Sequence, residues 1–287
     1  MPDTIRIEVE DGVRSIILCR PREYNNITPL LRDELGAALD EAEEAKDTKV
    51  VLLRAEGSAF CAGYGLDWST RAQADQSGRT RVWDSAADYQ AMSGFVRVYQ
   101  KLWYSSKPSV AAVQGWCICG GTDLVLWSDV IIAAENAVFG YPTSRLWGVP
   151  TTAMWVYRIG FEKAKRYLLT GDEIPAAEAA RIGLILETVP EERLQEHAMA
   201  LAKRMAMLPL NQLQMIKLYV NQVAENMGIA SLRTLGILFD GVARHTQEGL
   251  DFVKLSNDIG FREAVRRRDD PFGDYGSGSR SRRRKKD

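Results

Sequence analysis

Residues 110–129 read as an apolar strand, a turn of small residues, and a helix-like run that begins at Gly120-Gly121. Side chains are missing at that turn, so the backbone can approach a ligand closely. The unpaired N–H groups of a helix start point outward there, with the positive end of the helix dipole behind them. Such a place suits an oxyanion or a phosphate. A phosphate-cradling loop needs two glycines five residues apart, then Lys and Ser or Thr. Gly115, Gly120 and Thr122 satisfy that pattern, but Gly121 stands where the lysine must be. Without the charge that meets the outer phosphates, oxyanion stabilisation is the better reading. The same glycines would equally let a helix pack tightly on a sheet.

A second stretch repeats the arrangement. The apolar run 50–54 leads into Gly57, Gly63 and Gly65 before another helix-like segment. Two strand ends then each offer a backbone N–H, at Tyr64 and at Gly120, and a pair of donors is what a thioester enolate oxygen needs.

At these residues the chain resembles the crotonase (enoyl-CoA hydratase/isomerase) superfamily. The matching pieces are Gly57-Ser-Ala-Phe-Cys-Ala-Gly63, Lys107-Pro-Ser-Val-Ala-Ala-Val-Gln-Gly115, Cys119-Gly-Gly-Thr-Asp123, and the run from Ser128 to Gly140. Arg158-Ile-Gly160, Leu168-Leu-Thr-Gly171 and residues 176–184 follow in the expected order, so the resemblance covers about residues 4–275. It implies an α/β crotonase spiral of β-β-α turns over residues 1–205 and a C-terminal helical trimerisation region over 206–275. It also implies assembly as a homotrimer or hexamer, and an acyl-CoA substrate whose thioester oxygen lies between the N–H groups of Tyr64 and Gly120. Each such donor lowers a comparable barrier by about 3 kcal/mol.

Side chains above that platform decide the reaction. By resemblance, family hydratases handle water with two glutamates, and the corresponding positions here are Asp123 and Thr143. Aspartate keeps a carboxylate but loses one methylene of reach, about 1.5 Å. Thr143 does not titrate near neutral pH and can only orient water or substrate. Asp123 reads as the remaining general acid/base, its pKa raised among Leu124, Val125 and Trp127; as an acid in a first helical turn it would also be favoured by the dipole alone. The expected activity is hydration or dehydration of an enoyl-CoA in fatty-acid or related acyl-CoA metabolism. An isomerase, a carbon–carbon hydrolase or thioesterase, and a non-catalytic acyl-CoA-binding member stay open.

Further candidates line the two site loops. Arg22, Ala62, Gly63, Leu66, Asp67, Gly121 and Tyr141 are expected near the substrate, with Ser144 and Thr152 beside them. Arg145 could meet a substrate carboxylate or carbonyl, or make a surface ion pair. Trp68, Trp116 and Trp147 could wall a ring-shaped acyl pocket or pack in the core. Phe261, Arg266, Arg267 and Phe272 resemble the family's segment beside the coenzyme A adenine and phosphates; an amphipathic terminal helix explains them equally well.

The remaining features restrict function by exclusion. His197 and His245 lie far from these motifs in sequence, which disfavours a Ser-His-Asp or Cys-His hydrolase. Cys19, Cys61, Cys117 and Cys119 form neither a disulfide framework nor a metal set, so they read as small core residues, and no metal or cofactor is required beyond the coenzyme A of the substrate. No run approaches the roughly 18 apolar residues of a membrane span, and the first residues lack a signal pattern. A soluble cytoplasmic protein is expected. The end of the chain from Arg280 carries six cations against Asp287, leaving a body of 31 basic and 37 acidic residues. That argues against nucleic-acid or membrane binding as the main task and makes residues 276–287 a disordered basic tail.

Overall fold

The strands that carry the site are buried on both faces, and their side-chain alternation divides between two cores. In β3 (Val50–Ala55), Val51 and Leu53 join one core while Val50 and Leu52 join the other. β5 (Ser109–Val113) repeats this with Ala111 and Val113 against Val110 and Ala112, and β7 (Val130–Ala134) with Ile131 and Ala133 against Ile132 and Ala134. A computed structural model of the chain describes residues 3–65 and 83–275. Leu66, Asp67 and Trp68, most of the polar stretch after them, and the basic tail lie outside the described residues.

β1 (Ile5–Glu10) and β2 (Val13–Leu18) form the antiparallel hairpin expected around Asp11-Gly12. β2 then pairs parallel with β3, and the six-stranded sheet continues β5, β7, β10 (Glu187–Val189) in parallel register. Each of β3, β5 and β7 is followed by a three-residue strand that turns away into a second sheet: β4 (Ala59–Cys61), β6 (Trp116–Ile118) and β8 (Val138–Gly140). β4, β6 and β8 pair in parallel, and β9 (Ile174–Pro175) closes the edge antiparallel to β8. The chain thus winds as a spiral of β-β turns, and the ends of β4, β6 and β8 stack at one place. Residues 137–141 read from the sequence alone as hairpin-like; in the fold β8 pairs with β6 and β9, strands distant in sequence.

Helices cover both faces. α1 (Pro29–Glu44) starts as the sequence indicates, with Thr28 Oγ1 accepting from Leu31 N and Pro29 in the first turn. From its apolar spacing the sequence shows a helix only over about 92–105, but α2 (Ser85–Tyr104), capped by Asp84, begins earlier. Phe95, Tyr99 and Leu102 of its aromatic stripe are core, as their spacing implies. α3 (Gly120–Val125) follows β6, and α4 (Met154–Leu168) runs as one helix across a break at Gly160, where φ is 75°. α5 (Ala176–Ile182) leads to β10, and α6 (Leu194–Ala206) lays Ala198, Ala202 and Ala206 on the outer core at four-residue spacing.

α7 (Leu210–Asn226), α8 (Ile229–Arg244), α9 (Gln247–Ile259) and α10 (Phe261–Asp269) complete the chain. α7 is tied to the end of α2 by Lys217 Nζ, which donates to Leu102 O (2.6 Å) and Lys107 O (3.1 Å). α8 packs against α2 and reaches the site from behind. No helix among the described residues is long and apolar enough to cross a membrane.

Candidate active site

Two backbone turns meet where β4 and β6 end. Gly63 has φ +96°, and a Cβ there would lie 3.0 Å from Cys119 Cβ and 3.4 Å from the amide nitrogen of Gly120. Gly63 therefore sits against the first residue of α3. A Cβ on Gly120 would stand 2.8 Å from Tyr64 Cε2, so only glycine accommodates the tyrosine ring beside it. Gly121 is held as closely: its Cβ would be 2.3 Å from Cys61 O. The N–H of Gly120 has no acceptor four residues back, because Cys119 immediately before it is not helical (φ 51°, ψ −120°).

The turn is braced from the first part of the chain. Ala62 N donates to Tyr24 O (3.0 Å), Ile27 N to Gly63 O (2.8 Å) and Gly65 N to Ile27 O (2.8 Å). Arg22 stands exposed on the 3-10 turn Pro21–Glu23 of this brace.

Asp123 lies one helical turn beyond the glycines and is fully buried. Oδ1 accepts from Thr151 N (3.1 Å), and Oδ2 lies 3.2 Å from Tyr141 Oη. The Tyr141 hydroxyl is also 3.1 Å from Val149 O. One hydroxyl proton cannot serve both acceptors at full strength. A protonated Asp123 resolves the conflict: its own proton goes to Tyr141 Oη, whose proton goes to Val149 O. Burial, and second to it the Asp240 carboxylate, push the Asp123 pKa from 3.8 up to about 8. The group is thus a proton donor at neutral pH whose conjugate base is within reach.

Thr143 sits in the 3-10 turn Pro142–Arg145, whose carbonyl at Thr143 accepts from Trp147 N and Gly148 N. Its hydroxyl faces Cys119, and a Cβ on Gly148 would fall 2.4 Å from Thr143 Oγ1. Trp147 stacks on Phe252 of α9 with ring centroids 3.9 Å apart, and Phe252 meets Phe261 edge-on at 6.1 Å. Trp147 and Phe261, far apart in sequence, thus share one aromatic cluster, while Trp116 packs on Tyr275. A groove of about 290 Å3 lined by Leu146, Phe252, Leu255, Arg267, Arg268 and Phe272 opens beside this cluster.

Residues 8–254 match the family described as enoyl-CoA hydratase/isomerase. The chain belongs to the enoyl-CoA hydratase/isomerase family. An enoyl-CoA hydratase of Mycobacterium smegmatis superposes with a TM-score of 0.90 at 42% identity, over 96% of each chain. An enoyl-CoA hydratase/isomerase of Xanthobacter autotrophicus Py2 does so with a TM-score of 0.87 at 26% identity, covering 95% of this chain and 99% of that one. A hydroxycinnamoyl-CoA hydratase-lyase of Pseudomonas fluorescens is 29% identical over 209 residues, 70% of this chain and 72% of that protein. The crotonase spiral inferred from the sequence is thereby established, as is an enzyme of the enoyl-CoA hydratase/isomerase type.

Arg145 requires a correction. Its side chain is only 2% exposed, and the guanidinium meets Asp269 (2.9 Å) and both oxygens of Asp274 through two nitrogens (2.9 Å each). Phe272 covers it at 3.8 Å. Its donors are engaged by the protein's own carboxylates, so it is not placed to meet a substrate group. Asp240 and the segment 149–151, by contrast, did not stand out in the sequence, because only the fold brings them to Asp123. The one legible hint was the four-residue spacing of Asp240 and Arg244, which form an ion pair (3.0 Å).

Proposed function

We propose that this enoyl-CoA hydratase/isomerase family member adds water to, or removes it from, the 2,3 double bond of an enoyl-CoA thioester, with Asp123 carrying the proton. The observation that carries the reading is the fully buried carboxyl of Asp123, its pKa raised by burial, one helical turn past Gly120 and the neighbouring Gly63–Tyr64 turn. With the thioester oxygen between those amides, the negative charge that grows on it as a nucleophile adds at the β carbon is stabilised. Neutral Asp123 gives its proton to the α carbon. Water held by the Thr143 hydroxyl forms the new C–O bond at the β carbon, and its released proton restores Asp123. One carboxyl therefore leaves the cycle as it entered.

The missing charge at Thr143 favours a second reading, isomerisation, in which Asp123 as carboxylate takes a proton from the γ carbon and returns it to the α carbon. Crotonyl, longer enoyl and cyclic β-keto thioesters incubated in heavy-oxygen water with wild type and Asp123→Asn separate these by mass together with chromatographic retention. One heavy-oxygen water gained in the intact thioester, and lost in the variant, is the expected result. Rearrangement without label would mean isomerisation, release of free coenzyme A or a ring-opened acid would mean a hydrolase, and no change with retained binding would end the catalytic reading.

In this reading the enzyme uses no metal or redox cofactor, works in the cytoplasm on fatty-acid or related acyl-CoA chemistry, and assembles as a trimer or pair of trimers. Support for assembly comes from α7 and α8, which expose Leu218, Tyr219, Val220, Val223 and Phe239, each more than half accessible. Sedimentation equilibrium should give the mass of three or six chains; a single-chain mass at micromolar protein would refute it.

A further inference from the structure

Behind Asp123 lies a second buried carboxylate, contributed by α8. Asp240 is 5% exposed, faces the backbone N–H of Val149, and pairs with Arg244 Nε at 3.0 Å. Arg244 directs its other two nitrogens to Asp88 of α2, Nη1 and Nη2 each at 2.8 Å from a carboxylate oxygen. A Cβ on Gly241 would sit 2.5 Å from Asp88 Oδ2, so the absent side chain there is what lets Asp88 reach across.

The segment 149–151 connects this triad to the catalytic carboxyl. Val149 turns its N–H toward Asp240 and its carbonyl to Tyr141 Oη, while Thr151 N donates to Asp123. α8 presses directly on that segment: a Cβ on Gly236 would lie 2.9 Å from Pro150 O and 3.3 Å from Thr151 C. Burial pushes the Asp240 carboxyl up while Arg244 pulls it down, and because one arginine faces two aspartates, the triad with both ionised carries a net negative charge. Tyr141, Tyr64, Tyr99 and Cys119 also face Asp123, and burial pushes each of them up, leaving them neutral. His245, next to Arg244, stacks on Trp83 with centroids 4.5 Å apart.

We propose that Asp240 is a positioning residue for Asp123: from α8, which presses on residues 150–151, it places a charged carboxyl behind Asp123 and braces the segment whose Thr151 N–H orients the Asp123 carboxyl. The inference rests on the reading of Asp123 as the proton carrier. It places on α8 the second carboxylate that Thr143 does not supply, though Asp240 acts through Asp123 and touches no substrate.

The test follows the C=O band of protonated Asp123 by infrared difference spectroscopy across pH, the band being assigned by its absence in Asp123→Asn. In Asp240→Asn the midpoint should fall by about one pH unit or more, as expected when a close like charge is removed. Asp88→Asn, which frees Arg244 to neutralise Asp240, should lower it in the same direction and decides the matter if Asp240→Asn does not fold. A midpoint that stays or rises in the folded variants overturns the proposal. Should Asp123→Asn still hydrate enoyl-CoA, the functional reading fails instead, and the band's midpoint reports on Asp240 independently of turnover.

Discussion

Asp123→Asn is expected to lose turnover by about three orders of magnitude, the scale of a deleted general acid/base, while becoming more stable than wild type at alkaline pH. The two effects share one cause. Asparagine keeps an acceptor for Thr151 N and a donor for Tyr141 Oη, so the hydrogen bonds of the neutral acid survive, but nothing can ionise. The folded pKa of Asp123 is raised to about 8 from 3.8, so between those values the native state holds a proton that the unfolded chain has released. The contribution is therefore fully present below about pH 4 and is lost as pH rises through about 8. Relative to wild type, Asp123→Asn should gain on the order of 3 kcal/mol between pH 5 and pH 8. Urea unfolding at the two pH values measures this directly. A constant difference between the proteins would mean that Asp123 is ionised in the fold, and retained hydration would remove it from the chemistry.

This coupling of activity to instability was only half legible in the chain. The motif residues Gly120, Gly121 and Asp123 and the apolar neighbours of the aspartate are local, so periodicity and composition reach them. The hairpin at Asp11-Gly12, the cap at Thr28 and the helix Ala176–Ile182 were readable for the same reason. β4 and β6 were missed and β8 was given the wrong partner, because three residues give no period to detect, although these strands stack the two turns together. Residues 247–259 form a helix that carries Phe252 to Trp147, a contact no local pattern announces. Asp240 belongs to the same class: only the packing of α8 on residues 150–151 brings it behind Asp123 and gives it meaning.

Arg145 shows the reverse case, a residue whose type suggested a ligand and whose surroundings make it structural. Arg145→Ala is expected to cost about 3–5 kcal/mol, the scale for removing one partner of a buried ion pair. Asp274 is 1% exposed at its side chain and would lose the cation that Arg145 brings to it, whereas Asp269 would keep Arg268 at 2.7 Å. The consequence reaches further than one charge, because the segment 269–275 is held by this arginine. Asp274 Oδ2 also accepts from Glu173 N (3.2 Å), Tyr275 Oη donates to Gly171 O (2.9 Å), and Phe272 lies on the guanidinium. Freed of Arg145, that segment should become a site of limited proteolysis, read by mass spectrometry alongside a lowered denaturation midpoint. Arg145→Lys should recover only part of the loss, since an ammonium cannot reproduce the paired contacts of Nη1 and Nη2 with Asp274. Arg145 stands two residues beyond Thr143 in the same 3-10 turn, so loosening it also loosens the hydroxyl that orients water. An Arg145→Ala protein with an unchanged midpoint and a protected C-terminal segment would refute this structural assignment and return the arginine to the candidates for binding.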